Sequence, residues 1–111
     1  MKLKLIITCF LCSIAFGFAQ NSGSIKGKVV DKKTNEPLPY VNIILKDNDK
    51  IVTGGVTTED GNFTVNKLAL QKYTVEIQFI GYTTVVKNTD LTSDANQNLG
   101  TIAISEDVSE L

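Results

Sequence analysis

The 111-residue chain contains no histidine, no tryptophan and no arginine, and its cysteines are limited to Cys9 and Cys12. Without histidine there is no imidazole base, no Ser-His or Cys-His nucleophile pair and no zinc site of the usual kind. Without arginine, and with acids outnumbering lysines, the basic stripe that phosphate backbones require is missing, which excludes nucleic acid and anionic membrane surfaces as partners. The only prolines are Pro37 and Pro39. What remains for chemistry is carboxylate, lysine and tyrosine.

Both cysteines fall in an N-terminal segment set apart from the rest. Lys2 and Lys4 form a short basic start, Leu5 to Phe18 is almost unbroken apolar sequence, and Gly17-Phe18-Ala19 places small residues where a signal peptidase reads. Residues 1–19 are therefore expected to be a cleaved secretory signal peptide, with Gln20 as the first mature residue. An N-terminal anchor helix is the alternative, but the apolar run falls short of the about 20 residues that cross a bilayer. Thr8 before Cys9 and Leu11 before Cys12 do not fit a lipid-modification site. The mature chain then has no cysteine, which rules out a disulfide framework. Of the eleven lysines, two leave with the signal, so nine face twelve acids, a formal charge of −3.

The remainder reads as strands separated by turn signals at roughly 10-residue intervals, the spacing of an all-β sandwich or barrel. Strands are expected at Ser24–Asp31, Tyr40–Lys46, Ile51–Thr57, Asn62–Leu68, Lys72–Ile80, Tyr82–Lys87 and Leu99–Ser105. The clearest alternation is Tyr73, Val75, Ile77 and Phe79 against Thr74, Glu76 and Gln78. Pro37-Leu38-Pro39 fixes an extended connection and blocks helix. Seven strands in two packed antiparallel sheets would bury Ile25, Val29, Val41, Ile43, Leu45, Phe63, Val65, Val75, Ile77 and Phe79. One sandwich domain over residues 20–105 is expected, followed by a free acidic tail over 106–111.

Two acidic clusters, Asp47-Asn48-Asp49 and Glu59-Asp60-Gly61-Asn62, carry oxygen ligands of the kind hard cations prefer. Neither matches a twelve-residue calcium loop. If successive strands run antiparallel they lie about 20 Å apart, at opposite ends of one strand. Asp31, Glu36, Glu59 and Asp60 could share one end and form a weak site. The simpler reading makes Asp60-Gly61 the corner of a hairpin, either a type I′ loop or a type I turn with a glycine bulge, and leaves its acids solvated. A glycosidase pair needs acids facing each other across a cleft, whereas Glu59 and Asp60 are adjacent on a tight turn. Tyr40, Tyr73 and Tyr82 could contact sugar, but core or rim packing is the simpler role. No catalytic, cofactor-binding or metal-binding residue is assigned, and no cofactor is expected.

Five short stretches occur in order: Gly27 to Asp31, Thr34 to Ile43, Gly54 to Thr57, Asp60 to Phe63 and Phe79 to Tyr82. Together they resemble the carboxypeptidase D regulatory-like domain, a small transthyretin-like (prealbumin-like) β-sandwich, over about Ser24 to Ile104. In bacteria related to Bacteroidetes, a signal peptide followed at once by this domain is similar to the start of TonB-dependent receptors and related outer-membrane β-barrel proteins. The resemblance implies a non-enzymatic periplasmic module at the outer membrane, with the plug and barrel of a receptor or other envelope proteins as partners. The tail over 106–111 looks like the run-up to a plug segment. A free-standing secreted module that binds carbohydrate or another surface through Tyr40 and Tyr82 is the alternative.

Overall fold

The computed structural model describes residues 22–107, so the expected signal peptide lies outside the described residues. Seven strands form: β1 (Gly23–Asp31), β2 (Asn42–Asp47), β3 (Lys50–Val56), β4 (Asn62–Leu68), β5 (Lys72–Gln78), β6 (Val85–Asp90) and β7 (Asn96–Ile104). They make a three-stranded sheet ordered β4-β1-β7 and a four-stranded sheet ordered β3-β2-β5-β6. The all-β sandwich is as expected, with one exception to its antiparallel pattern. β1 and β7 run parallel, because β7 reaches the sheet by crossing over from β6 in the opposite layer.

The core between the sheets follows the period of two. Tyr73, Val75 and Ile77 on β5, Ile43 and Leu45 on β2, and Phe63 and Val65 on β4 are buried, as are Ile25 and Val29 on β1. Each fully buried Ile, Leu or Val contributes about 1.5–3 kcal/mol over exposure. Phe79 departs from expectation: it is half-buried against the core. It continues the alternation of β5, but the neighbouring strand β2 begins at Asn42 opposite Gln78, so no partner strand covers it. Val30, Leu68, Leu91, Ile102 and Ile104 complete the core.

Two strand limits shift for tertiary reasons. β7 begins at Asn96 rather than Leu99, because parallel pairing of Ser24 with Asn96 and of Lys26 with Asn98 recruits a polar Asn-Gln-Asn stretch that strand propensity alone would leave out. β6 begins at Val85 rather than Tyr82, because Gly81, at φ 83, closes a turn in which Tyr82 N–H donates to the Phe79 carbonyl. Tyr82 then bridges Glu106 in the other layer, Thr83 N–H donates to the Ser105 carbonyl, and Asp107 N–H donates to the Gly81 carbonyl. Glu106 and Asp107 are therefore paired backbone and no free tail; residues 108–111 lie outside the described residues.

The Asp60-Gly61 corner is not a hairpin. β3 and β4 belong to different sheets, so Thr57 to Gly61 carries the chain from one layer to the other. Gly61 is at φ 78 while Asp60 is not in the left-handed region, which excludes a type I′ loop. The two-residue loop with two positive φ values is Asn48-Asp49, at 49° and 68°, joining β2 to β3. Asn and Asp tolerate that region without glycine because their short polar side chains bond locally.

Gly61 meets a second constraint besides φ. A Cβ there would lie 2.6 Å from the Val29 carbonyl oxygen and 3.0 Å from Pro37 Cβ. Gly81 has similar φ, but a Cβ added to it would meet nothing within 4 Å. Gly81→Ala is expected to cost only the left-handed strain, about 1–2 kcal/mol. Gly61→Ala adds overpacking of about 1–3 kcal/mol to that strain, and urea unfolding of the two variants side by side measures the difference.

Candidate functional site

Asn42 on β2 is opposite both Val56 on β3 and Gln78 on β5. The chain before Asn42, after Val56 and after Gln78 therefore leaves the four-stranded sheet at one end. The end of β1 arrives at the same place, since Val29 N–H donates to the Gly61 carbonyl at 2.8 Å and Leu38 N–H donates to the Val29 carbonyl at 3.0 Å.

Thr57 ties these segments together. Its side chain is buried, its hydroxyl accepts from Val41 N–H at 2.9 Å and donates to the Leu38 carbonyl at 2.6 Å. Its backbone N–H donates to the Val41 carbonyl and its carbonyl accepts from Tyr40 N–H. The hydroxyl thus stands between the ends of the Leu38–Val41 turn. Within that turn Pro39 fixes one φ, and Tyr40 is held at φ 60, a conformation that costs a bulky residue about 1–3 kcal/mol. The result is that the Tyr40 ring stands 62% exposed. Ile80, at the tip of the Phe79–Tyr82 turn, is 93% exposed.

The same end of the sandwich carries a polar anchor. Asp31 Oδ1 accepts from the Lys33 and Thr34 N–H groups, and Asp31 Oδ2 accepts from the Tyr82 hydroxyl at 2.5 Å. The Tyr82 hydrogen bond and then the Thr34 and Lys33 amides hold the Asp31 carboxyl below its ordinary range. The same bond to Asp31, followed by desolvation and the charges of Asp31 and Glu106, pushes the Tyr82 phenol up to about 12. The Tyr82 ring also packs against Phe79, with centroids 5.4 Å apart. A shallow cleft of about 260 Å³ beside this anchor is lined by Asp31, Lys32, Lys33, Ser105 and Glu106.

The acids expected at one end, Asp31, Glu36, Glu59 and Asp60, do lie on the segments that converge here, but Asp31 is consumed internally while Glu36, Glu59 and Asp60 point into solvent. Among the described residues no group of three or more acids gathers as metal ligands. Asp47, Asn48 and Asp49 sit at the opposite end, and Asp47 accepts from the Gln71 side-chain amide. Tyr73 is core, with its hydroxyl donating to the Ala69 carbonyl. Of the three tyrosines, only Tyr40 offers an open ring.

The family model of the CarboxypepD_reg-like domain matches residues 25–111. The chain belongs to that family. Solved structures share the family member's sandwich. The chain is similar to the group B streptococcus pilus 2b backbone protein, at 19% identity and a TM-score of 0.60, over 79% of this chain and 42% of that one. It is similar to BcpA, the major pilin subunit of Bacillus cereus, at 16% identity and a TM-score of 0.63, over 78% of this chain and 31% of that one. It is also similar to the shaft pilin SpaA of Lactobacillus rhamnosus GG, at 12% identity and a TM-score of 0.61, over 79% of this chain and 48% of that one. The chain spans less than half the length of each pilin, and at these identities the likeness establishes the fold alone. No curated protein matches the chain.

The anchor gives a pH signature for this family member. The lowered Asp31 carboxyl contributes stability that is complete above its ordinary value of 3.8 and is lost as pH falls through the folded value. The raised Tyr82 phenol contributes stability that is complete below 10.0 and is lost as pH rises toward about 12. Wild type should therefore melt above Tyr82→Phe by a constant margin between roughly pH 5 and pH 9, and the margin should narrow on both sides. Thermal unfolding across that range checks both limbs.

Proposed function

We propose that this chain is a non-enzymatic, exported β-sandwich that serves as the periplasmic N-terminal domain of an outer-membrane TonB-dependent receptor or transporter and acts by protein contact. The observation that carries the reading is the pair of large apolar side chains, Tyr40 and Ile80, held out from one end of the sandwich on tight turns. An exposed aromatic on a rigid turn contributes contact area while losing little side-chain entropy, which suits an interface anchor. Membership of the CarboxypepD_reg-like family and the signal-like residues 1–19 support the placement in the envelope. Downstream plug and barrel segments would belong to the receptor of which this domain is the start.

The carbohydrate-binding alternative rests on an aromatic platform of Tyr40 and Tyr82. Tyr82 is half-buried with its hydroxyl committed to Asp31, which leaves Tyr40 to bind sugar alone. A single exposed ring favours a protein contact over a sugar-stacking surface.

A photo-crosslinking residue at position 40 or 80, introduced into the full chain in its own cell, tests the proposal. The expected product is a crosslink to an outer-membrane β-barrel protein or to the plug of its own receptor, absent when the probe is moved to exposed Lys72 at the opposite end of the sheet. Crosslinks to polysaccharide, or none at either position, would contradict it.

A further inference from the structure

The two sheets expose four edges, and three carry features that oppose pairing with another chain. β4 has Lys67 at φ 58 among Asn62, Thr64 and Asn66; β7 has a break at Gly100, at φ 71, among asparagines; β6 has Lys87 and Asp90. Charges and positive-φ kinks of this kind protect sheet edges. β3 differs. From Ile51 to Val56 it carries no charge, and Ile51, Val52 and Val56 are 69%, 50% and 54% exposed.

The pairing of β3 with β2 explains why these apolar groups face water. Thr53 is opposite Leu45 and Ile51 is opposite Lys46, so Val52 is an extra residue on β3. That bulge shifts Ile51 onto the solvent face. Gly54, opposite Ile44, and Val56, opposite Asn42, are on the same face, since Ile43 and Leu45 point into the core. An ordinary alternation would have turned Ile51 inward. The strand therefore presents Ile51 and Val56 on either side of a glycine pair, along an edge whose outer hydrogen-bonding groups have no partner strand among the described residues.

We propose that the free edge of β3 pairs antiparallel with β3 of a second copy of this chain. A twofold axis near Gly54 places Ile51 of one copy beside Val56 of the other, and Val56 beside Ile51, all on one face of a continuous eight-stranded sheet. The glycines meet at the centre, where no side chain holds the backbones apart. Gly54 could not carry one, since a Cβ there would lie 2.5 Å from the Ile43 carbonyl oxygen. The charge pattern selects the same arrangement. Lys50 is the only charge on the strand, and antiparallel pairing sends the two copies of it to opposite ends, just past Val56 of the other copy, whereas parallel pairing would set them side by side. One strand thus supplies both halves of the contact. Its area falls below the about 1,200 Å² of a standard interface, so the dimer is weak and concentration-dependent. This pairing is independent of the receptor reading and uses the side of the sandwich, whereas that reading uses the Tyr40 and Ile80 tips.

Sedimentation velocity on the purified chain from micromolar to submillimolar concentration tests it. The expected result is a shift toward the dimer as concentration rises, abolished by Ile51→Lys and by Val56→Lys and kept by Val86→Lys, an equally exposed site on β6. All three positions face solvent, so unchanged thermal midpoints confirm that the variants fold. At high concentration the amides of β3 that face away from β2 should also gain protection from hydrogen exchange. A wild type that stays monomeric throughout, or a dimer that survives both β3 substitutions, would overturn the proposal.

Discussion

The structure depends on a meeting of three chain segments at the end of β1. Val29 donates to the Gly61 carbonyl and accepts from the Leu38 amide, while the buried Thr57 hydroxyl closes the Leu38–Val41 turn. The constraint is a matter of polar accounting: the Val41 N–H is buried and the Leu38 carbonyl partly so, and a buried backbone group left without a partner costs about 1–3 kcal/mol. A single hydroxyl satisfies both. Because Thr57 also begins the passage from the four-stranded to the three-stranded sheet, the same residue positions the layers relative to each other.

That arrangement connects stability to function. Tyr40 occupies a strained backbone conformation only because Pro39 on one side and Thr57 on the other leave it no alternative. The strain is offset by the hydrogen bonds around it, and its product is a residue held out into solvent at the same end of the sheet as Ile80. In the same cluster of turns, Asp31 and Tyr82 join strand β1 to the paired segments 81–83 and 105–107. The exposed tips are therefore mounted on well-bonded backbone, a favourable basis for protein contact because little ordering remains to be done on binding.

Much of the fold was legible where local pattern and tertiary role agree. Tyr73, Val75 and Ile77 alternate because one face of β5 is core, and Asn62 to Leu68 is bounded by turn chemistry on one side and a loop on the other. Legibility failed where a strand exists because of a neighbour. The Asn96–Asn98 stretch has no strand pattern of its own and pairs because β1 lies beside it. Asp60-Gly61 has the sequence of a hairpin corner, yet nothing local distinguishes a turn within a sheet from one between sheets. Asn48-Asp49 forms the left-handed loop without a glycine to mark it. At the candidate site, Tyr40 is one of the tyrosines that read as possible contacts, but Ile80 reads as one more apolar residue of a strand. The Asp31–Tyr82 bond joins residues 51 apart, a distance no spacing rule reaches.

The central claim is that the Thr57 hydroxyl, and not merely the volume of its side chain, holds the converging segments. Equilibrium urea unfolding of Thr57→Val, which keeps the shape and removes the hydroxyl, tests this directly against Thr57→Ser, which keeps the hydroxyl and removes the methyl. Thr57→Val is expected to lose about 2–4 kcal/mol, since a buried N–H and a partly buried carbonyl are left unpaired, and Thr57→Ser about 1 kcal/mol. A Thr57→Val chain as stable as wild type, or more stable than Thr57→Ser, would contradict the claim.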